Sequence, residues 1–399
     1  MAADFVDSMV DELDDAGSLP DVVPWQRFGG RPADLSWSSA FVGSLHALWK
    51  DGDPRPAGKH WPAVLRHVGG LWAQYARAGA LRSLPEAYGD WCPPPKTPGG
   101  GEKEHASHGF AAAFSLVRAL QQAAELGAAI GGPAAGDARN ISALARQLGE
   151  EFHASYYNAS RKLYDNGAMI TFVLPLALGI VPEADKHSVF QNLLQKVEAS
   201  NGTWTGGIIN NRFLFDVLHD NGAASLALAM LSRKTYPSYG YMYFNEYEPG
   251  TEGMWEVPDA PFQGPSMNSR NHHMYSSVGH YLLTRVAGLK QVGVREFSAI
   301  VGLLDHADSR LNTPRGEVAF GWRRSSGTLL VNVTAPVGTR THVHFPDVGD
   351  VHLDGRPVRK GNGVHRVSAK VQMHSGTFTR VTVGSGGYSF SVGSEALFA

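Results

Sequence analysis

Apolar residues recur at helical spacing through roughly the first 290 positions of the chain and at alternate positions near its end. Phe5, Met9, Val10 and Leu13 fall on one face of a helix that Gly17 stops. Similar spacing predicts helices over residues 37–50, 61–79, 107–127, 140–155, 186–199, 208–219, 222–233 and 270–288. Gly- and Pro-rich segments separate them. The largest are CPPPKTPGGGEKEHAS at 92–107 and GGPAAGDAR at 131–139, both read as loops. Nine or ten helices joined by alternating short and long loops imply an array of helical hairpins, with the long loops on one rim.

The pattern changes near residue 314. GEVAFGWRR, GTLLVNVTA, TRTHVHFP, VHLDGRPV, GVHRVSAKV, FTRVTV and GYSFSV are short runs of period two, divided by Gly, Pro and Asp. They predict a small antiparallel β-sandwich of some 85 residues. Within it His342 and His344 alternate with Val343 and Phe345, which predicts solvent-facing imidazoles. The expected division is a helical domain over 1–290 and a β-sandwich over 291–399.

Charge narrows the partners. Thirty-five basic and 37 acidic residues give a net charge of −2 without a basic stripe, so neither nucleic acid nor an anionic membrane is an expected partner. No apolar run is long enough to span a membrane, and the acidic start MAADFVDSMVDELDD is unlike a secretory signal, which leaves the compartment undetermined. Cys92 is the single cysteine; no internal disulfide can form, and a buried free thiol is expected.

Three segments place a carboxylate beside a tryptophan: Gly17–Pro24 leading to Asp34 and Trp37, the run Tyr88-Gly89-Asp90-Trp91, and Gly250–Tyr281. In the third, Glu256 follows Trp255 and precedes Asn271-His272-His273. On one rim, such loops would give acidic and aromatic walls, which suit a sugar: carboxylates and amides meet hydroxyls, and rings cover the apolar face. Each segment also has a plainer reading. Asp90 can cap a helix, Trp91 can be core, and Asn271 can be the N-cap of a helix starting near His273.

In combination the segments are more specific. GSLPDVVP followed by a Trp-plus-small-residue helix, YGDW, YPSYGYM followed by GTEGMWE, and SRNHHMYSSVGHYL resemble, in order and spacing, motifs of the α-L-rhamnosidases, an inverting glycoside hydrolase family. That resemblance implies a six-hairpin (α/α)6 barrel followed by a β domain. It implies hydrolysis of terminal α-L-rhamnose from glycosides or polysaccharides, with a carbohydrate as partner and no cofactor or metal. It assigns Glu256 as the general base. The implied sugar-binding set is Trp37, Asp90, Trp91, Trp255, Asn271 and His272.

The resemblance has departures. The family's "WGDA" reads Trp37-Ser38-Ser39-Ala40, and its "ATTlWE" reads Thr251-Glu252-Gly253-Met254-Trp255-Glu256. The family's general acid lies in a motif like "CP-x-RDE" upstream of GSLPDVVP, and no Arg-Asp-Glu run precedes that segment here. The resemblance therefore implies an N-terminally truncated barrel with a gap, an intact base and little activity on its own. Two alternatives from other directions are a non-catalytic glycan-binding protein of the same fold and a helical-barrel glycosidase for another sugar.

Overall fold

A computed structural model describes residues 2–26, 29–250, 252–265, 267, 269–347, 349–373 and 376–393. The chain divides into two compact units. The first comprises Met1–Trp49, Asp53–Val217 and Leu228–Ser276; the second comprises Lys50–Gly52, Leu218–Ala227 and Ser277–Ala399.

The first unit is built of helices, among them Ala2–Glu12, Ala40–Lys50, Trp61–Ala78, Phe110–Ile130, Gly132–Tyr156, Met169–Leu178 and Glu183–Ala199. Phe110–Ile130 is the central element. Its residues Phe110 through Val117 are buried in one unbroken run except for nothing larger than a serine among the polar ones, so neighbours cover it on several faces. It packs most extensively along Gly132–Tyr156, from which only Gly131 separates it. Gly131 and Gly132 both have positive φ, and Pro133 follows in the first turn, where its missing N–H costs nothing. The segment 131–139, read as a loop, is thus mostly the start of a helix. A second departure is Met169–Leu178, which the spacing did not reveal. Its sequence MITFVLPLAL is apolar on every face, so no period shows.

A third departure bears on the site. Residues 270–276 are not helical; a helix spans only Ser277–Tyr281, and a π-helical turn follows over Leu282–Val286. Asn271 is therefore not the N-cap of a helix.

The second unit holds two sheets around one core. The five-stranded sheet runs in the order Val364–Met373, Gly376–Val383, Arg340–Pro346, Glu296–Ile300 and Leu289–Gly293. The six-stranded sheet runs Arg356–Pro357, Val351–Leu353, Gly386–Gly393, Thr328–Ala335, Gly316–Ser325 and His306–Thr313. Leu289, Phe297, Val331, Val343, Phe345 and Phe390 join in the common core. Strand pairing begins at Leu289, well before the expected change near 314. Arg340–Pro346 also pairs in parallel with Glu296–Ile300, so this sandwich is not wholly antiparallel.

His344 corrects a second expectation for this unit. It is buried, 6% exposed, because its strand lies in the middle of the five-stranded sheet. Burial and the nearby Arg380 push its imidazole down to about 4. His342 is half-buried and sits 3.0 Å from the Thr382 hydroxyl.

Candidate functional site

The loop that carries Glu256 is a short two-stranded ladder. The Glu256 N–H donates to the Ser269 carbonyl at 3.0 Å, and the His272 N–H donates to the Met254 carbonyl at 2.8 Å. The Ser269 N–H in turn lies 3.3 Å from Glu256 Oε2. Gly253 permits this pairing. A Cβ there would stand 1.9 Å from the Arg270 carbonyl oxygen, closer than any side chain allows. The base motif and the histidine motif are thus joined by backbone, independently of what either binds.

The ladder sets two side chains facing one another. His272 Nδ1 lies 3.9 Å from Glu256 Oε2, with the histidine 27% and the glutamate 14% exposed. Both remain reachable by a ligand. His273 stacks on His272, ring centroids 5.5 Å apart and 17° from parallel. Asn271 is exposed, and its N–H donates to Ser269 Oγ at 3.2 Å. Glu252 is exposed; its neighbour Thr251, part of the same motif, lies outside the described residues.

Trp255 has the opposite environment. It is fully buried, and Tyr241 meets it edge-on at 6.4 Å. The Arg270 guanidinium sits 5.2 Å from its ring centroid and forms an ion pair with Glu248 at 2.5 Å. An indole with no exposed surface cannot wall a sugar, so the expectation for Trp255 is corrected. Its ring supports the ladder from beneath, through Arg270.

The second loop reverses that arrangement. Asp90 is 6% exposed. Its carboxylate accepts the N–H groups of Gly207, Ile209 and Asn210, at 2.5, 2.9 and 3.1 Å, at the start of the helix Ile208–Asp220. These are the amides a helix start leaves without intrahelical partners. Burial outweighs the three donors and pushes the Asp90 carboxyl up to about 7. Asp90 is therefore a cap for a helix 117 residues away and not an open sugar contact. Trp91 beside it is half-buried and reachable.

Trp91 belongs to an aromatic row. Tyr88 lies edge-on to Trp91 at 5.5 Å and packs against Trp37 at 4.6 Å. All three rings are partly exposed. Tyr88 was not singled out from the sequence, although it opens the YGDW run. Two carboxylates fix the row. Asp34 accepts the N–H of Ala87 at 2.6 Å and of Tyr88 at 3.1 Å, and also caps its own helix at Ser36. Asp21 accepts the Tyr88 hydroxyl at 3.0 Å and the Asp34 N–H at 2.8 Å. The acids of the first loop thus bind loop to loop.

Cys92 connects the aromatic row to the base loop. Its carbonyl accepts the Tyr275 hydroxyl at 2.5 Å, three residues after His272. Its buried thiol is pushed up to about 12, chiefly by burial and then by the charge of Glu256. The thiol is free, buried and inert at neutral pH, as the lone cysteine suggested. Among the described residues no group of three or more His, Cys, Asp or Glu could hold a metal, and no helix is long and apolar enough to cross a membrane.

Comparison with known proteins decides the family. The model of the bacterial alpha-L-rhamnosidase 6 hairpin glycosidase domain matches residues 1–286, and that of the family's C-terminal domain matches 286–357. The chain belongs to the bacterial α-L-rhamnosidases. An alpha-L-rhamnosidase of Streptomyces avermitilis is 28% identical over 98% of this chain and 36% of its own length. One from Formosa agariphila is 23% identical over 86% of this chain and 37% of its own. Among solved structures, the α-L-rhamnosidase from Dictyoglumus thermophilum superimposes with a TM-score of 0.83 at 26% identity, over 98% of this chain and 43% of that one. The Streptomyces avermitilis α-L-rhamnosidase complexed with L-rhamnose gives 0.80 at 23%, over 97% of this chain and 36% of that one, a likeness of fold. The chain thus spans 36–43% of the length of these relatives. The helical domain followed by β-sheets agrees with the six-hairpin rhamnosidase architecture.

Proposed function

We propose that these residues form part of an inverting α-L-rhamnosidase site in which Glu256 is the general base. The observation that carries this reading is a reachable carboxylate, fixed by the Met254–Glu256/Ser269–His272 ladder and faced by His272 at 3.9 Å. In an inverting reaction the carboxylate takes a proton from water as that water attacks the anomeric carbon. A carboxylic acid on the other side of the bond, about 6.5–9.5 Å away, gives a proton to the leaving oxygen. The base and the acid each contribute roughly 10²–10⁴-fold. No carboxylate of this chain is assigned the acid role. Asp90 is turned into a helix start, and Asp21 and Asp34 hold backbone and tyrosine.

His272 is assigned to sugar hydroxyls, and the Trp37–Tyr88–Trp91 row to the apolar face and methyl of rhamnose. The 399 residues alone are then expected to bind L-rhamnose and to hydrolyse an aryl rhamnoside slowly. Titration calorimetry with L-rhamnose and a chromogenic assay on wild type and Glu256→Gln test this together. Saturable binding in both proteins, with slow turnover only in wild type, supports the assignment. Binding with no turnover in either favours a glycan-binding role. Turnover that survives Glu256→Gln unchanged removes Glu256 as the base.

A further inference from the structure

A cleft of about 930 Å³ lies in the helical unit on the segments that follow Trp91, within the size range of small-molecule sites. The short hairpin of Pro95–Thr97 and Gly100–Lys103 gives one wall. The end of Glu183–Ala199 with the loop to Thr205 gives another, and Arg233–Pro237 a third. Its lining carries four basic side chains, Lys96, Lys103, Lys196 and Arg233, against two acidic ones, Glu102 and Glu104. The balance is +2 in a chain whose net charge is −2.

Pairing shows which of these charges are unspent. Lys96 meets Glu102 at 2.7 Å, and Lys196 meets Glu104. Among the described residues Lys103 and Arg233 make no ion pair; Arg233 Nε only approaches the Thr235 hydroxyl at 3.4 Å. Two cations on the walls of one concavity raise the local concentration of anions.

The cleft is tied to the candidate base. At the hairpin tip the Gly99 N–H donates to Asp259 Oδ2 at 3.2 Å, three residues after Glu256. Lys103 and Glu256 also both act on the Cys92 thiol, one lowering its proton affinity and the other raising it. A substrate reaching from Glu256 past Cys92 would enter this cleft.

We propose that the cleft binds an acidic saccharide unit on the leaving-group side of the rhamnosidic bond, with its anionic group set against Lys103 and Arg233. This rests on the rhamnosidase reading of Glu256. The shared chemistry is a sugar-borne anion, either a uronate carboxylate or a sulfate ester.

The test is titration of the 399-residue chain with three probes: rhamnosyl-glucuronate, a sulfated rhamnosyl-glucose and neutral rhamnosyl-glucose. It is repeated on Lys103→Ala and Arg233→Ala, with circular dichroism as a check of folding. The expected result is binding of one or both acidic probes about tenfold tighter than the neutral one at low salt. That advantage should shrink in either variant and in high salt, while neutral-probe affinity stays the same. The stronger of the two acidic probes identifies the anion. Equal affinity for acidic and neutral probes overturns the acidic subsite and leaves the rhamnose reading standing. An acidic advantage unchanged in both variants overturns the assignment to Lys103 and Arg233. Failure to bind any probe overturns both the subsite and the reading beneath it.

Discussion

Asp90–Trp91 and Trp255–Glu256 are the same two kinds of residue in adjacent positions, yet their environments are inverted. In the first pair the carboxylate is buried on three backbone amides and the indole is reachable. In the second the indole is fully buried and the carboxylate is reachable. A carboxylate with its acceptor sites filled by fixed donors holds a fold together. One that keeps an open side beside an imidazole can exchange a proton with a substrate or with water. Adjacency of an acid and a tryptophan is therefore a weak guide to which of them meets the ligand.

The sharpest way to break this contrast is to truncate both tryptophans. Trp255→Ala should cost about 3–5 kcal/mol, because it empties a fully buried site and leaves Arg270 without its platform. Trp91→Ala should cost under about 1 kcal/mol and weaken rhamnose binding instead. Chemical denaturation measures the first effect and titration the second. Equal losses of stability would show that both rings are core.

Next in size is Asp90→Ala, expected to cost roughly 2–3 kcal/mol by leaving buried amides of the 208–220 helix start without an acceptor. Glu256→Gln, by contrast, should change the denaturation midpoint by less than about 0.5 kcal/mol. A large stability loss in Glu256→Gln would make that residue structural as well.

A pH series sharpens the comparison further. Burial raises the Asp90 carboxyl to about 7, above the ordinary value of about 3.9 that it has in the unfolded chain. The folded state then holds the proton more tightly than the unfolded one. The stability this group contributes is full below about pH 4 and falls as pH rises toward 7. Asp90→Asn should flatten that part of the denaturation profile between pH 4 and 7. An unchanged slope would mean that another group sets it.

Much of the architecture was legible because period is a local signal. Phe5, Met9, Val10 and Leu13 marked the first helix, and Leu329, Val331 and Val333 marked a half-buried strand. Met169–Leu178 was illegible because burial on all faces erases the period. His306–Thr313 was missed because an edge strand with mostly exposed residues carries no apolar alternation. The site divided in a similar way. Motif order pointed to Glu256 and His272, which the fold does bring face to face. It could not say that Asp90 would find its partners at Gly207–Asn210, or that Trp255 would be covered. Those outcomes depend on contacts far away in sequence. His344 misled for the same reason: alternation gives the face a residue takes, not whether that face is covered.

Gly253 carries one more consequence. It is the position where the ladder's two segments come nearest, and it contributes nothing but room. In a saturation library scored for rhamnose binding, codon 253 should tolerate almost no change, while exposed Glu252 beside it should accept nearly any. The least substitutable position near the glutamate would then be one with no chemistry at all, selected for the atom it lacks.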